Sequence, residues 1–165
     1  MTNAKVLLNA AITTTAVAYT AGDSIGGLIT QSPGQRVDSG MIQNVNVLDT
    51  ANQGAAFYII LFSDNPSAST ITDNAAFDLN SADYGKVTGV IAIAAADYVT
   101  IDTMKWATVA TQVNLKWLVP GTPSDSVTVM KPTIWMAVVA AGTPTYGANA
   151  TSLYITLGLG DTTPV

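Results

Sequence analysis

The segment Leu153-Tyr154-Ile155-Thr156-Leu157-Gly158-Leu159 sets a leucine or isoleucine at every second position, so its large apolar side chains share one face of an extended chain. A helix would scatter them around its axis. The segment therefore reads as a strand with one face in a core and the other outside. The same alternation, with β-branched residues among Thr, Asn or Ala, marks 12–18, 106–113 and 42–48, where Val45 and Val47 stand between asparagines. These strands are expected to pair antiparallel. Phe57-Tyr58-Ile59-Ile60-Leu61-Phe62 and Ile134-Trp135-Met136-Ala137-Val138-Val139 are apolar on both faces, as central strands covered on each side are. Tyr58 and Trp135 are accordingly expected to be buried, with another subunit as one of the covers.

Turn-forming clusters punctuate these runs at 21–27, Ser32-Pro33-Gly34, 63–67, Pro120-Gly121-Thr122-Pro123-Ser124 and Gly142-Thr143-Pro144. Gly22-Asp23 and Gly26-Gly27 read as a hairpin corner, glycine allowing positive φ and Asp23 bonding its own backbone. Glutamate is absent and no long helical periodicity is present. One short helical turn is expected where Asn80-Ser81 can cap Ala82-Asp83-Tyr84 before Gly85 stops it. The pattern predicts an all-β fold: an antiparallel, jelly-roll-like β-sandwich of about eight to ten strands with at most one or two short helical turns. At 165 residues the chain suits a single domain spanning 1–165, with residues 1–10 as an extended N-terminal arm.

The residue inventory removes most catalytic chemistry. Gly22-Asp23-Ser24 resembles the way some esterases present a serine, yet a serine needs a base and the chain contains no histidine. None of Lys5, Lys86, Lys105, Lys116 or Lys131 stands three residues after a serine, so the Ser-x-x-Lys arrangement is missing too. All 11 acidic residues are aspartates and cysteine is absent, which leaves no ordinary zinc, haem or iron–sulfur ligand set and no disulfide framework. Asp97 with Asp102, or Asp73 with Asp78, are the nearest spaced carboxylates for acid–base work. Asp49, Asp64, Asp73, Asp78 and Asp83 could gather around calcium, but no Asp-x-Asp-x-Asp-Gly loop is present and turn or cap roles suit them better. No catalytic, cofactor-binding or metal-binding residue is assigned.

Charge bears on partners. The net charge is −5 and Arg36 is the sole arginine, which disfavours nucleic acid, because phosphate contacts need clustered cations. Only 10% of residues are charged against about 25% in ordinary domains. Threonine, with 23 copies, supplies much of the polarity, and such a neutral surface is easily desolvated against a partner. The composition suits a protein that is covered; the alternative is a monomer solvated by its hydroxyls and amides. The longest uncharged apolar runs, 90–96 and 134–141, fall well short of the roughly 18 residues that cross a bilayer. Lys5 before Val6-Leu7-Leu8, with Ala16-Val17-Ala18 after, imitates a secretory leader, but Asn9 and Thr13 to Thr15 interrupt it and the segment reads as mature chain.

Trp106, Trp117 and Trp135, with Tyr19, Tyr58, Tyr84, Tyr98, Tyr146 and Tyr154, offer either core packing or a stacking platform for sugars, as in β-sandwich carbohydrate-binding modules. Trp106 and Trp117 flank strands and suit both roles. Asn149-Ala150-Thr151 matches a glycosylation acceptor, a pattern common by chance.

Four phrases, taken in order, resemble virion structural proteins of tailed bacteriophages: residues 18–27 (AYTAGDSIGG), 39–45 (SGMIQNV), 72–77 (TDNAAF) and 142–146 (GTPTY). The resemblance covers most of residues 11–159 and implies a capsid decoration (cement) protein on the surface of the phage head, assembled in the bacterial host cytoplasm. It implies the major capsid protein as partner, self-association as a homotrimer, and neither nucleic acid nor membrane. It transfers no site residues. A glycan- or receptor-binding module of a phage head or tail fibre is the alternative.

Overall fold

The computed structural model describes residues 6–31, 40–115, 133–148 and 151–160. Nine strands are described: β1 (Val6–Ile12), β2 (Ser24–Gln31), β3 (Gly40–Asp49), β4 (Phe57–Phe62), β5 (Val87–Ile93), β6 (Tyr98–Ile101), β7 (Met104–Leu115), β8 (Ile134–Ala140) and β9 (Leu153–Gly160). They form two sheets, ordered β1-β9-β3-β7-β6 and β2-β8-β4-β5. Within them β1 pairs with β9, β2 with β8, β3 with β7, and β4 with β5, all antiparallel. The chain is thus one long antiparallel ribbon, doubled back between β4 and β5, whose successive strand pairs fall in opposite sheets. That wrapping is the jelly roll.

Alternation along each strand decides which side chains meet between the sheets. Ile12, Val45, Val47, Ala107, Leu153, Ile155 and Leu157 face inward from the first sheet; Ile25, Phe57, Ile59, Leu61, Ile91, Met136 and Val138 face them from the second. All are 4% exposed or less. Each such aliphatic or aromatic burial contributes about 1.5–3 kcal/mol, which is what holds the two layers together. The runs that read as strands at 42–48, 57–62, 106–113, 134–139 and 153–159 lie in β3, β4, β7, β8 and β9. The expected turn after Asn80 is a 3₁₀ turn, Ser81–Lys86, with the Asn80 side chain accepting from the Ala82 amide.

Three expectations are corrected. The first strand is Val6–Ile12 rather than 12–18, so residues 6–10 of the expected arm are an edge strand on β9. Residues 13–23 form a loop because Tyr19 turns into the core, its amide donating to the Pro144 carbonyl while Val17 stays 64% exposed. Second, 21–27 is no hairpin corner. Ser24 opens β2, and Gly26-Gly27, both at positive φ, make a bulge that skips two residues of register against β8 and keeps Ile25 and Ile29 on the inner face. Third, the outer face of β4 is covered only in part: Phe62 is buried and Ile60 half-buried, but Tyr58 is 45% exposed. The Trp135 side chain on β8 is half-buried. The clusters at 32–34 and 120–124, with Arg36 and Trp117, lie outside the described residues.

Candidate functional site

The residues singled out for chemistry serve the backbone instead. Ser24 is fully buried, its amide donates to the Ala75 carbonyl and its own carbonyl accepts from the Asn74 amide. Its hydroxyl has no partner among the described residues and no opening to a substrate. Asp73 accepts from the Tyr19 hydroxyl and the Gly26 amide, at 2.8 and 2.7 Å. The backbone of Asp78 bridges Thr70. Asp97 accepts from the Ala94 amide, and Asp102 sits at φ 56 in the turn between β6 and β7. Asp64 accepts from the Asn65 amide. Among the described residues no three carboxylates gather where a metal could bind.

Two of the buried carboxylates hold loops. Asp49 ends β3 with no exposure and accepts from the Ala51 and Gly54 amides at 2.9 and 2.7 Å, closing the loop to β4. Burial pushes its carboxyl above the usual range while the surrounding amides hold it down. Asp83 pairs with Lys86 at 2.8 Å and accepts from Ser69 and the Ala68 amide; the lysine chiefly, then the serine, hold its carboxyl below the usual range. Burial raises Tyr146 and Tyr98, with the nearby Asp49 charge adding to both, so neither phenol ionises near neutrality. This end of the sandwich is a packed plug of tyrosines and aspartates.

The outer faces of the sheets are what the fold presents. Asp49 and Lys105 are the only charged residues in the nine strands, and they pair across β3 and β7 at the ends of those strands. Neither lies among the side chains that point outward. On the second sheet the outward row Leu28, Ala137, Ile60, Val90 runs beside Ser24, Val139, Tyr58, Ala92. The segment after β4 bonds the Ser24 backbone through Asn74 and Ala75, and on β8, between β4 and β2, the outward Ala137 and Val139 are buried, whereas Tyr58 and Val90 on β4 and β5 are 45% and 55% exposed.

The first sheet presents a different chemistry. Register aligns Asn9, Thr156, Asn46 and Thr108 across four strands, and beside them Ala11, Tyr154, Leu48, Trp106 and Val99. Between the two rows lies a shallow cavity of about 240 Å³ lined by Asn9, Asn46, Leu48, Trp106, Tyr154 and Thr156. Trp106 is 42% exposed. Of the residues named from sequence, the structure brings Trp106 and Tyr154 together here. Asn9, Asn46 and Thr156 are additions, foreshadowed only by polar residues alternating with the buried Val45, Val47, Ile155 and Leu157. Fold and surface together define a jelly-roll β-sandwich with uncharged outer faces. Comparison with known proteins found no match to the chain among family models, curated proteins or solved structures.

Proposed function

We propose that the chain is a capsid decoration protein of a tailed bacteriophage, a non-enzymatic cement that sits on the outer surface of the head and stabilises the shell. The observation that carries this reading is the uncharged outer face of β4 and β5, with Tyr58 and Val90 largely exposed and no charged residue in either strand. Jelly rolls serve in viral capsids, and equally in lectins and cupins, so the fold supports the reading without selecting it. The uncharged surface supports it: many uncharged contacts, repeated over the copies on a shell, resist expansion without ion pairs for salt to screen. The assembly proposed is a homotrimer, whose closed symmetry presents the same face from each copy. The partner is the major capsid protein.

The test is co-sedimentation of the purified chain with mature phage heads stripped of decoration, alongside its mass in solution by light scattering. The reading expects an oligomer that pellets with the heads and still pellets at high salt. A monomer that stays in the supernatant with every head preparation overturns it.

A further inference from the structure

We infer that the outer face of β1, β9, β3 and β7 carries a binding site for a neutral saccharide, centred on Trp106. The cavity joins the two surfaces a pyranose needs. Its ring C–H face is apolar and stacks on an aromatic plane, here Trp106 with Tyr154 and Leu48 beside it. Its hydroxyl edge needs fixed donors and acceptors, here the Asn9, Thr156, Asn46 and Thr108 row.

The polar row is oriented before any ligand arrives. Thr108 donates to Oδ1 of Asn46 at 2.8 Å, and the Trp106 indole N–H donates to the same threonine at 3.3 Å, tethering the ring. Thr156 donates to Oδ1 of Asn9 at 3.5 Å. Both asparagine side-chain oxygens thereby accept from a neighbouring threonine, and neither NH₂ has a partner among the described residues, which leaves both as donors for a ligand. Groups held in place by their neighbours lose little freedom on binding, which favours a ligand made of many weak contacts.

Elimination leaves the same class. The cavity has no lysine or arginine, so phosphate, nucleic acid and acidic sugars find no counter-charge. It has no carboxylate, so a cation has no ligand. An extended peptide would add to the free edge of β1, at the margin of this face, whereas β9, β3 and β7, which carry Tyr154, Leu48 and Trp106, are paired on both sides and offer side chains only. An uncharged polyhydroxyl ligand remains.

The site lies on the sheet opposite Tyr58 and Val90, so it stands or falls apart from the capsid reading. The experiment is an array of neutral and acidic oligosaccharides probed with the full chain, followed by calorimetry with maltohexaose, cellohexaose and chitohexaose. Neutral glycans are expected to bind. Trp106→Ala should weaken binding by about tenfold or more, the scale of one lost stacking contact. Trp106→Phe should keep most of it, and Asn46→Ala should weaken it while melting temperature stays unchanged. Tyr58→Ala, on the other sheet, should leave the titration unaltered. No neutral glycan bound, binding confined to acidic glycans, or affinity unchanged in Trp106→Ala would each overturn the assignment.

Discussion

The Tyr19 hydroxyl donates to Oδ1 of Asp73 at 2.8 Å, across 54 residues of chain. The bond ties the loop before β2 to the long segment between β4 and β5, and Tyr19 also meets Tyr146 edge to face, with ring centroids 6.0 Å apart. Two loops and the turn after β8 are thereby locked at one end of the sandwich. Tyr19→Phe is expected to cost about 1.5–3 kcal/mol, since it removes a hydrogen bond to the half-buried, charged Asp73 carboxylate. Tyr146→Phe is the contrast: its hydroxyl is buried with no partner among the described residues, so the variant should unfold at the same denaturant concentration as the parent or a higher one. Urea midpoints of the two variants decide the matter.

Gly26 makes a second prediction. At φ 78 it adopts a left-handed conformation, and an added Cβ would collide with Cγ2 of Ile12. Gly26→Ala should therefore destabilise by about 1–3 kcal/mol through backbone strain and the displaced isoleucine. Gly85, where nothing lies near an added Cβ and φ is ordinary, should accept alanine with little change in thermal melting.

Asp49 and Asp83 predict opposite responses to pH. The Asp49 carboxyl is raised by burial, so the fold binds its proton more tightly than the unfolded chain does. Its contribution to stability falls as pH rises from the unfolded value of about 3.9 through the raised folded one. Asp83 is lowered by Lys86 and Ser69, so its contribution is complete above about pH 3.9 and is lost as pH falls below that value. Chemical denaturation between about pH 2 and pH 7 should show a steeper acid-side rise with pH in Asp49→Asn and a shallower one in Asp83→Asn. Equal slopes in the two variants would refute the assignment of these roles.

Exposed Val90 tests the docking face. Val90→Asp puts a charge at the β5 end of an outward apolar row without touching the core, so folding should change by no more than about 0.5 kcal/mol. Retention on phage heads should drop at least tenfold, because an unpaired charge would have to be desolvated. Binding kept in this variant would move the contact elsewhere.

How much of this was legible in the residue order depends on what was local. Period-two runs marked β3, β4, β7, β8 and β9 because alternation is a property of neighbours. The second strand escaped because Gly26-Gly27 carries the chemistry of a turn while serving as a bulge, a distinction set by pairing with β8. Tyr58 looked buried because a doubly apolar run implies two covers, and among the described residues the second cover reaches Phe62 but not Tyr58. The cavity was legible only in part. Trp106 was visible as a candidate, but its polar neighbours come from register: Asn46 meets Thr108 across 62 residues and Asn9 meets Thr156 across 147. No local signal encodes those pairings.

The central claim is that the uncharged outer face of β4 and β5 is covered by protein in its native setting. Hydroxyl-radical footprinting of Tyr58, compared between the purified chain and the intact native particle, tests it most directly. The account predicts strong labelling of Tyr58 in the free chain, matching its 45% exposure, and protection in the particle. Equal labelling in both would contradict it.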